Sequence, residues 1–296
     1  MTLSLDDIQI RDPFVVRDPA DGAWYLLGST DPDVWQGPGV GFDAYRSIDL
    51  VSWEGPLPAF RPAAHFWSPG RYWAPEVHRF RDRWIMLATF SDADGVRRGT
   101  QVLEAPGPAG PFVPLTAGPV TPEGQRCLDG TLFVDDDHTP WLVYCHEWTD
   151  LGDGAVCAMQ LDDDLAAAGE PVELFRASSA PWATPVPGAE VDGGLAYVTD
   201  GPWLHRHPSG RLLMLWSSFA DGAYAMGVAT SASGSVLGPW TQSDETLIAD
   251  DAGHGMVFEG PDGLLVTSHR PNTTPLERAV FRRLVTTADS LAVAGD

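Results

Sequence analysis

The chain is poor in the features that would place it in several common classes. Its 18 basic residues are all arginine, against 41 Asp and Glu, for a formal charge of −23. Such a balance repels phosphate backbones and anionic lipid surfaces, so neither nucleic acid nor membrane is expected as a partner. The absence of lysine accompanies much Ala, Gly and Pro and reads as codon bias in the source. Only three cysteines occur, Cys127, Cys145 and Cys157, without CxxC spacing. An odd, unclustered set of this kind implies reduced thiols rather than a disulfide scaffold or a zinc site. No apolar run approaches the ~18 residues of a membrane helix, and the first residues show no basic segment followed by an apolar one. The expected location is cytoplasmic, with secretion open if a signal has been removed.

Helical periodicity is also scarce. Apolar stretches are short, β-branched or aromatic, and bounded by Gly, Pro, Asp and Ser, the pattern of strands and turns. Only Asp164–Ala168 suggests a helical turn. A strand-turn-strand unit recurs at intervals of roughly 50–70 residues. Its copies open at Arg11-Asp12-Pro13, Ala74-Pro75-Glu76, Leu128-Asp129-Gly130, Thr199-Asp200-Gly201 and Gly253-His254-Gly255. Gly-Pro pairs at 55–56, 110–111 and 238–239 fall where an outer strand would begin, and Pro suits an edge or a first strand position. The expectation is an all-β fold, a five-bladed β-propeller, filling one domain over 1–296. Its blades lie near 9–60, 73–120, 127–180, 195–247 and 252–295.

In a propeller the first strand of each blade lines the axis, so Asp12, Glu76, Asp129, Asp200 and His254 are expected around one mouth. Each carboxylate alone reads equally well as a turn former. Together they are costly, because like charges around a narrow axis raise one another's proton affinity. A second Arg-Asp-Pro, at 17–19, sits in a hairpin turn, so Asp18 is assigned to the turn and Asp12 to the site. A hairpin turning at His138 would set Glu147 opposite Asp129, and one turning near Asp262 would bring His269 opposite His254. Trp35, Trp67, Trp73, Trp148 and Trp203 lie near strand ends, and His146 adjoins Glu147. Acidic groups ringed by aromatics suit a neutral carbohydrate. Hydrolysis of a sugar bond needs one protonated and one ionised carboxyl group.

These residues resemble glycoside hydrolase family 43 over nearly the whole chain. The resemblance implies that Asp12 is the general base, Asp129 the residue that tunes and orients the acid, and the fourth-blade carboxylate the general acid. It also implies that Glu76 and Trp73 line or support the substrate site. Where the family usually carries Glu-Gly-Pro, this sequence has Asp200-Gly201-Pro202. Asp is shorter by ~1.5 Å, a gap that matters for proton transfer at hydrogen-bond range. Asp200 is favoured as acid, with Glu147 and then Glu76 as alternatives. The expected substrate contacts are Trp73, Glu76, His146, Glu147, Trp148, Trp203, His254 and His269.

The mechanism implied is inversion, with base and acid about 6.5–9.5 Å apart. The expected activity is exo-acting release of terminal α-L-arabinofuranose or β-D-galactofuranose. β-Xylosidase or endo-arabinanase activity is the alternative within the family, and a non-catalytic sugar-binding propeller the alternative outside it. A retaining fructan-acting propeller is disfavoured, since its Arg-Asp-Pro belongs to the third blade and no Glu-Cys pair exists here. The chemistry requires no cofactor. An axial ion such as calcium near His254 is left open, and the oligomeric state is not legible.

Overall fold

The computed structural model describes residues 2–295. Five antiparallel sheets surround a central axis as the blades of a β-propeller. Their innermost strands are Arg11–Arg17, Gly70–Phe80, Cys127–Val134, Asp200–Arg206 and Val257–Gly260. Each pairs with the strand that follows it in sequence. This is the short-range meander that strand-turn-strand repeats specify. The first blade gains a fifth, outermost strand, Thr2–Leu3, paired with Trp53–Phe60.

Turn chemistry sets the hairpins. Asp18 Oδ1 accepts the Ala20 N–H at 2.9 Å, so the second Arg-Asp-Pro does close a turn. Asp135 organises the third-blade hairpin through the N–H groups of Asp137 and Thr139, and the indole of Trp141. That hairpin pairs Val134 with Pro140 and Leu128 with Cys145, and it bulges between Leu128 and Thr131. The expected pairing of Asp129 with Glu147 is therefore displaced. Glu147 lies beyond the strand, at the N-cap of the four-residue helix Trp148–Leu151. Asp164–Ala168 forms no helix, because Asp162 Oδ1 accepts the N–H groups of Asp164 and Ala166 and turns the chain.

Apolar side chains lock adjacent blades together. Between the first and second, Phe60, Phe66, Tyr72 and Phe90 meet at centroid distances of 4.9–6.0 Å. Burying each large ring contributes ~1.5–3 kcal/mol, so this wedge fastens the outer strand of the first blade, Trp53–Phe60, to the first two strands of the second. The ring is closed across the chain ends. Ile10 N–H donates to Glu277 O at 3.2 Å and Arg278 Nε to Asp6 O at 2.8 Å.

Candidate active site

The same backbone irregularity recurs at the head of every inner strand. Asp12, Ala74, Asp129, Gly201 and His254 have φ of 54°, 45°, 55°, 51° and 47°. These are the equivalent positions of the repeat, so Asp200 stands one residue early and Glu76 two late. Four of the five are non-glycine residues in the left-handed region, a strain usually retained only where the surroundings over-determine it. Here the surroundings are the neighbouring blade. The N–H groups of Ala74, Asp129 and His254 donate to the hydroxyls of Ser29, Thr89 and Ser217 on the second strand of the preceding blade, at 2.8–2.9 Å. Asp12 N–H donates to His269 Nδ1 at 3.2 Å.

The fourth copy differs. Cys145 holds the position that Ser29, Thr89, Ser217 and His269 occupy elsewhere. A thiol is a weak acceptor, and Gly201 N–H donates instead to Asp129 Oδ2 at 3.0 Å. Only glycine fits there, since a Cβ at Gly201 would lie 2.6 Å from His254 Cδ2. One sequence irregularity thus ties the third-blade carboxylate to the fourth-blade backbone.

Three carboxylates with opposite electrostatic settings face one cavity. Burial pushes Asp12 upward, but His254, Arg11, His269 and the Ser29 hydroxyl outweigh it and hold its pKa below the usual value. His254 Nδ1 is 3.1 Å from Asp12 Oδ1 and 3.6 Å from Asp129 Oδ2, and Ser29 Oγ donates to Asp12 Oδ2 at 2.7 Å. Asp129 is pushed up to about 8, first by burial and then by the charges of Asp200 and Asp12. Burial likewise raises Asp200 to about 6, opposed by His254 and by Tyr224, whose hydroxyl donates to Oδ2 at 2.9 Å. Burial disfavours charge on His254, but the surrounding carboxylates, Asp12 foremost, prevail and favour its imidazolium. Asp129 and Asp200 titrate as a pair rather than as independent groups. Near neutrality one side of the cavity is a carboxylate and the other retains a proton.

His269 belongs to the support of this arrangement. It is fully buried, and burial with the nearby Arg11 lowers its pKa to about 3. The neutral ring accepts from Asp12 N–H at Nδ1, so its proton is on Nε2, facing Asn272 Oδ1 at 3.3 Å.

Of the residues expected at the site, Asp12, Trp73, Asp129, Glu147, Trp148, Asp200 and His254 line the cavity of about 480 Å³. Glu76, His146, Trp203 and His269 do not. Glu76 follows the strained Ala74 by two residues, and its carboxylate meets His78 Nε2 at 3.0 Å. His78 in turn stacks on Trp203 at 5.8 Å. His146 pairs with Asp150 at 3.2 Å. Of the two remaining tryptophans, Trp35 lines the cavity, whereas Trp67 lines a separate groove. Glu147 Oε2 receives both Arg98 and Thr149 Oγ1, so Glu147 is an acceptor in this arrangement. Sequence reasoning missed Tyr224, Arg71 and Arg11 as lining residues, since none occupies a repeated acidic position. Among the described residues no three His, Cys, Asp or Glu side chains gather as a metal site. His254 Nδ1 faces the carboxylates of Asp12 and Asp129, which leaves Nε2 as the other nitrogen of the ring.

Comparison with known proteins matches this architecture. The description "Glycosyl hydrolases family 43" fits residues 7–289. A solved endo-arabinase from Bacteroides thetaiotaomicron is 38% identical, with a TM-score of 0.89 over 97% of this chain and 98% of that one. The β-D-galactofuranosidase xynD of Aspergillus niger is 27% identical over 75% of this chain and 63% of its own length. An α-L-arabinofuranosidase 43 from Humicola insolens is 25% identical over 87% and 53% respectively. The chain thus spans less than two thirds of the length of these two curated relatives. A match over so much of the sequence, on the same five-bladed frame, means that the chain belongs to glycosyl hydrolases family 43.

Proposed function

We propose that the protein is an inverting, exo-acting glycoside hydrolase that releases a terminal furanosyl residue, α-L-arabinofuranosyl or β-D-galactofuranosyl. The observation that carries its acid–base chemistry is the opposite displacement of carboxyl pKa values across one cavity, Asp12 downward and the Asp129–Asp200 pair upward. Ionised Asp12 takes a proton from water as the water oxygen bonds to the anomeric carbon. The bond to the aglycone breaks, and its oxygen takes the proton held by the acidic pair. Asp200 is assigned as donor because it is partly open to the cavity, whereas Asp129 is 6% exposed and anchored by Gly201 N–H. Asp129 shares and tunes the proton. No cofactor is required.

A cavity of about 480 Å³ walled by Trp35 and Trp73 suits one or a few sugar units. The two curated relatives named for furanosidase activity support the choice of sugar. A second reading, endo-arabinanase, is favoured by the 38% identical structure. Aryl α-L-arabinofuranosides, β-D-galactofuranosides and β-D-xylosides, together with linear arabinan, separate these readings. Proton NMR of the first-formed anomer tests inversion. Monosaccharide as the sole early product is expected; oligosaccharides alone would establish the endo reading. Sugar binding without turnover would establish a non-catalytic propeller.

A further inference from the structure

Near Gly95 the cavity rim gathers three arginines, one of which has no ion pair among the described residues. Gly95 lies between the second and third strands of the second blade, with φ of 70°. A Cβ placed there would be 2.4 Å from Arg71 Nη1 and 3.5 Å from Arg98 Nη2. The Gly95 carbonyl also accepts from Arg126 Nε at 3.0 Å. Three guanidinium groups therefore gather around one bare backbone position.

Their pairing is incomplete. Arg126 meets Asp150 at 2.9 Å, and Arg98 meets Glu147 through Nη1. Arg71 makes one hydrogen bond, from Nε to Trp35 O at 3.2 Å, and takes part in no ion pair among the described residues. Asp92, on the same loop as Gly95, uses its oxygens on the N–H groups of Val96 and Arg97. Arg98 is the second unmet donor. Its side chain is 10% exposed, and its buried Nε lacks a hydrogen-bond partner. Arg71 and Arg98 both line the catalytic cavity, and Arg98 lies 4.7 Å from the Trp73 ring centroid.

Converging like charges are costly unless an anion is shared between them. A protein of net charge −23 has many carboxylates with which to neutralise an arginine, yet Arg71 is left without one at the substrate cavity. We infer that this rim is a subsite for a carboxylate on the substrate, that of a uronic acid residue adjoining the scissile furanosyl linkage. Guanidinium suits that group because its planar fork matches a carboxylate with two parallel hydrogen bonds. The choice of neighbouring sugar rests on the furanosidase reading; the affinity for a carboxylate does not.

The test compares sodium D-galacturonate with D-galactose by calorimetry, using the full chain at low and high salt. Galacturonate is expected to bind at least about tenfold more tightly, the preference shrinking severalfold in 0.5 M NaCl. Arg71→Gln should abolish the preference and Arg71→Lys retain part of it, with folding of both checked by thermal melting. In turnover, kcat/KM for a furanosyl-uronate disaccharide should exceed that for its neutral counterpart, and Arg71→Gln should bring the ratio near one. Equal binding of the two monosaccharides by the unmodified protein, or a preference that survives in folded Arg71→Gln, overturns the proposal. Galacturonate preference without turnover of any furanoside supports the subsite and refutes the furanosidase reading instead.

Discussion

Replacing Asp200 by Asn tests the substitution of Asp for Glu at the head of the fourth blade. With its pKa raised to about 6, Asp200 is ~90% protonated at pH 5. At the ordinary aspartate value of 3.8, it would be protonated only ~6% of the time. Burial thus keeps roughly fifteen times more acid in the donor form, offsetting part of what the shorter side chain loses in reach. Asn has no proton to give. With a poor leaving group such as an alkyl furanoside, kcat/KM should fall ~10²–10⁴-fold, or about 2.7–5.4 kcal/mol of barrier. With 2,4-dinitrophenolate, which leaves unassisted, the loss should be under about tenfold. The unmodified enzyme should also lose activity as pH rises from 6 to 8, where the Asp129–Asp200 pair gives up its protons. That limb should vanish for the activated substrate. Equal losses on both leaving groups would refute the assignment. If Glu147→Gln shows the leaving-group pattern and Asp200→Asn does not, Glu147 is the acid.

Other perturbations probe the neighbours of that pair. Tyr224→Phe removes a hydrogen bond that lowers the Asp200 pKa, so the alkaline limb should move to higher pH with a few-fold loss in kcat/KM; an unmoved limb would deny Tyr224 a tuning role. Asp129 binds its proton up to about 8 when folded but loses it near 3.8 when unfolded. The folded state therefore holds more protons between those values, and stability falls as pH rises through them. Asp129→Asn should flatten this slope and raise Tm at pH 8 more than at pH 4.5, as thermal denaturation across pH would show. Gly201→Ala introduces a Cβ 2.6 Å from the His254 ring at φ of 51°. A Tm loss of several degrees and an acid limb moved to higher pH are expected, because a displaced imidazolium no longer holds Asp12 down. An unchanged pH profile would mean that His254 does not set the state of Asp12.

Much of the site could be read from the repeat because its signals are local. Asp12, Asp129 and His254 occupy the same strained position in three copies, and strand alternation carries that equivalence along the chain. Glu76 and Asp200 looked equivalent but are offset, since the bulge is a backbone event that acidic letters do not mark. The expected Asp129–Glu147 pairing failed mainly because the third-blade hairpin is centred on Asp137 rather than His138, and the bulge between Leu128 and Thr131 shifts the register once more. Trp203 and His269 lie close in sequence to lining residues, yet their rings pack on His78 and on Tyr224 respectively. Neighbours in sequence need not share a face.

The sequence by itself determined the five-fold β architecture and the convergence of acidic residues on one axis. Strand periodicity, turn residues and repeat spacing act within a few residues and are written in order along the chain. Tertiary structure alone decided which carboxyl group is ionised, which keeps its proton, and that Arg71 reaches the cavity with no ion pair among the described residues. Those properties depend on burial and on charges brought from other blades. Asp12 is governed by His254 and His269 of the fifth blade, and Asp129 by His254 and by Asp200 of the fourth. No linear pattern records a separation of 3.1 Å between residues 12 and 254.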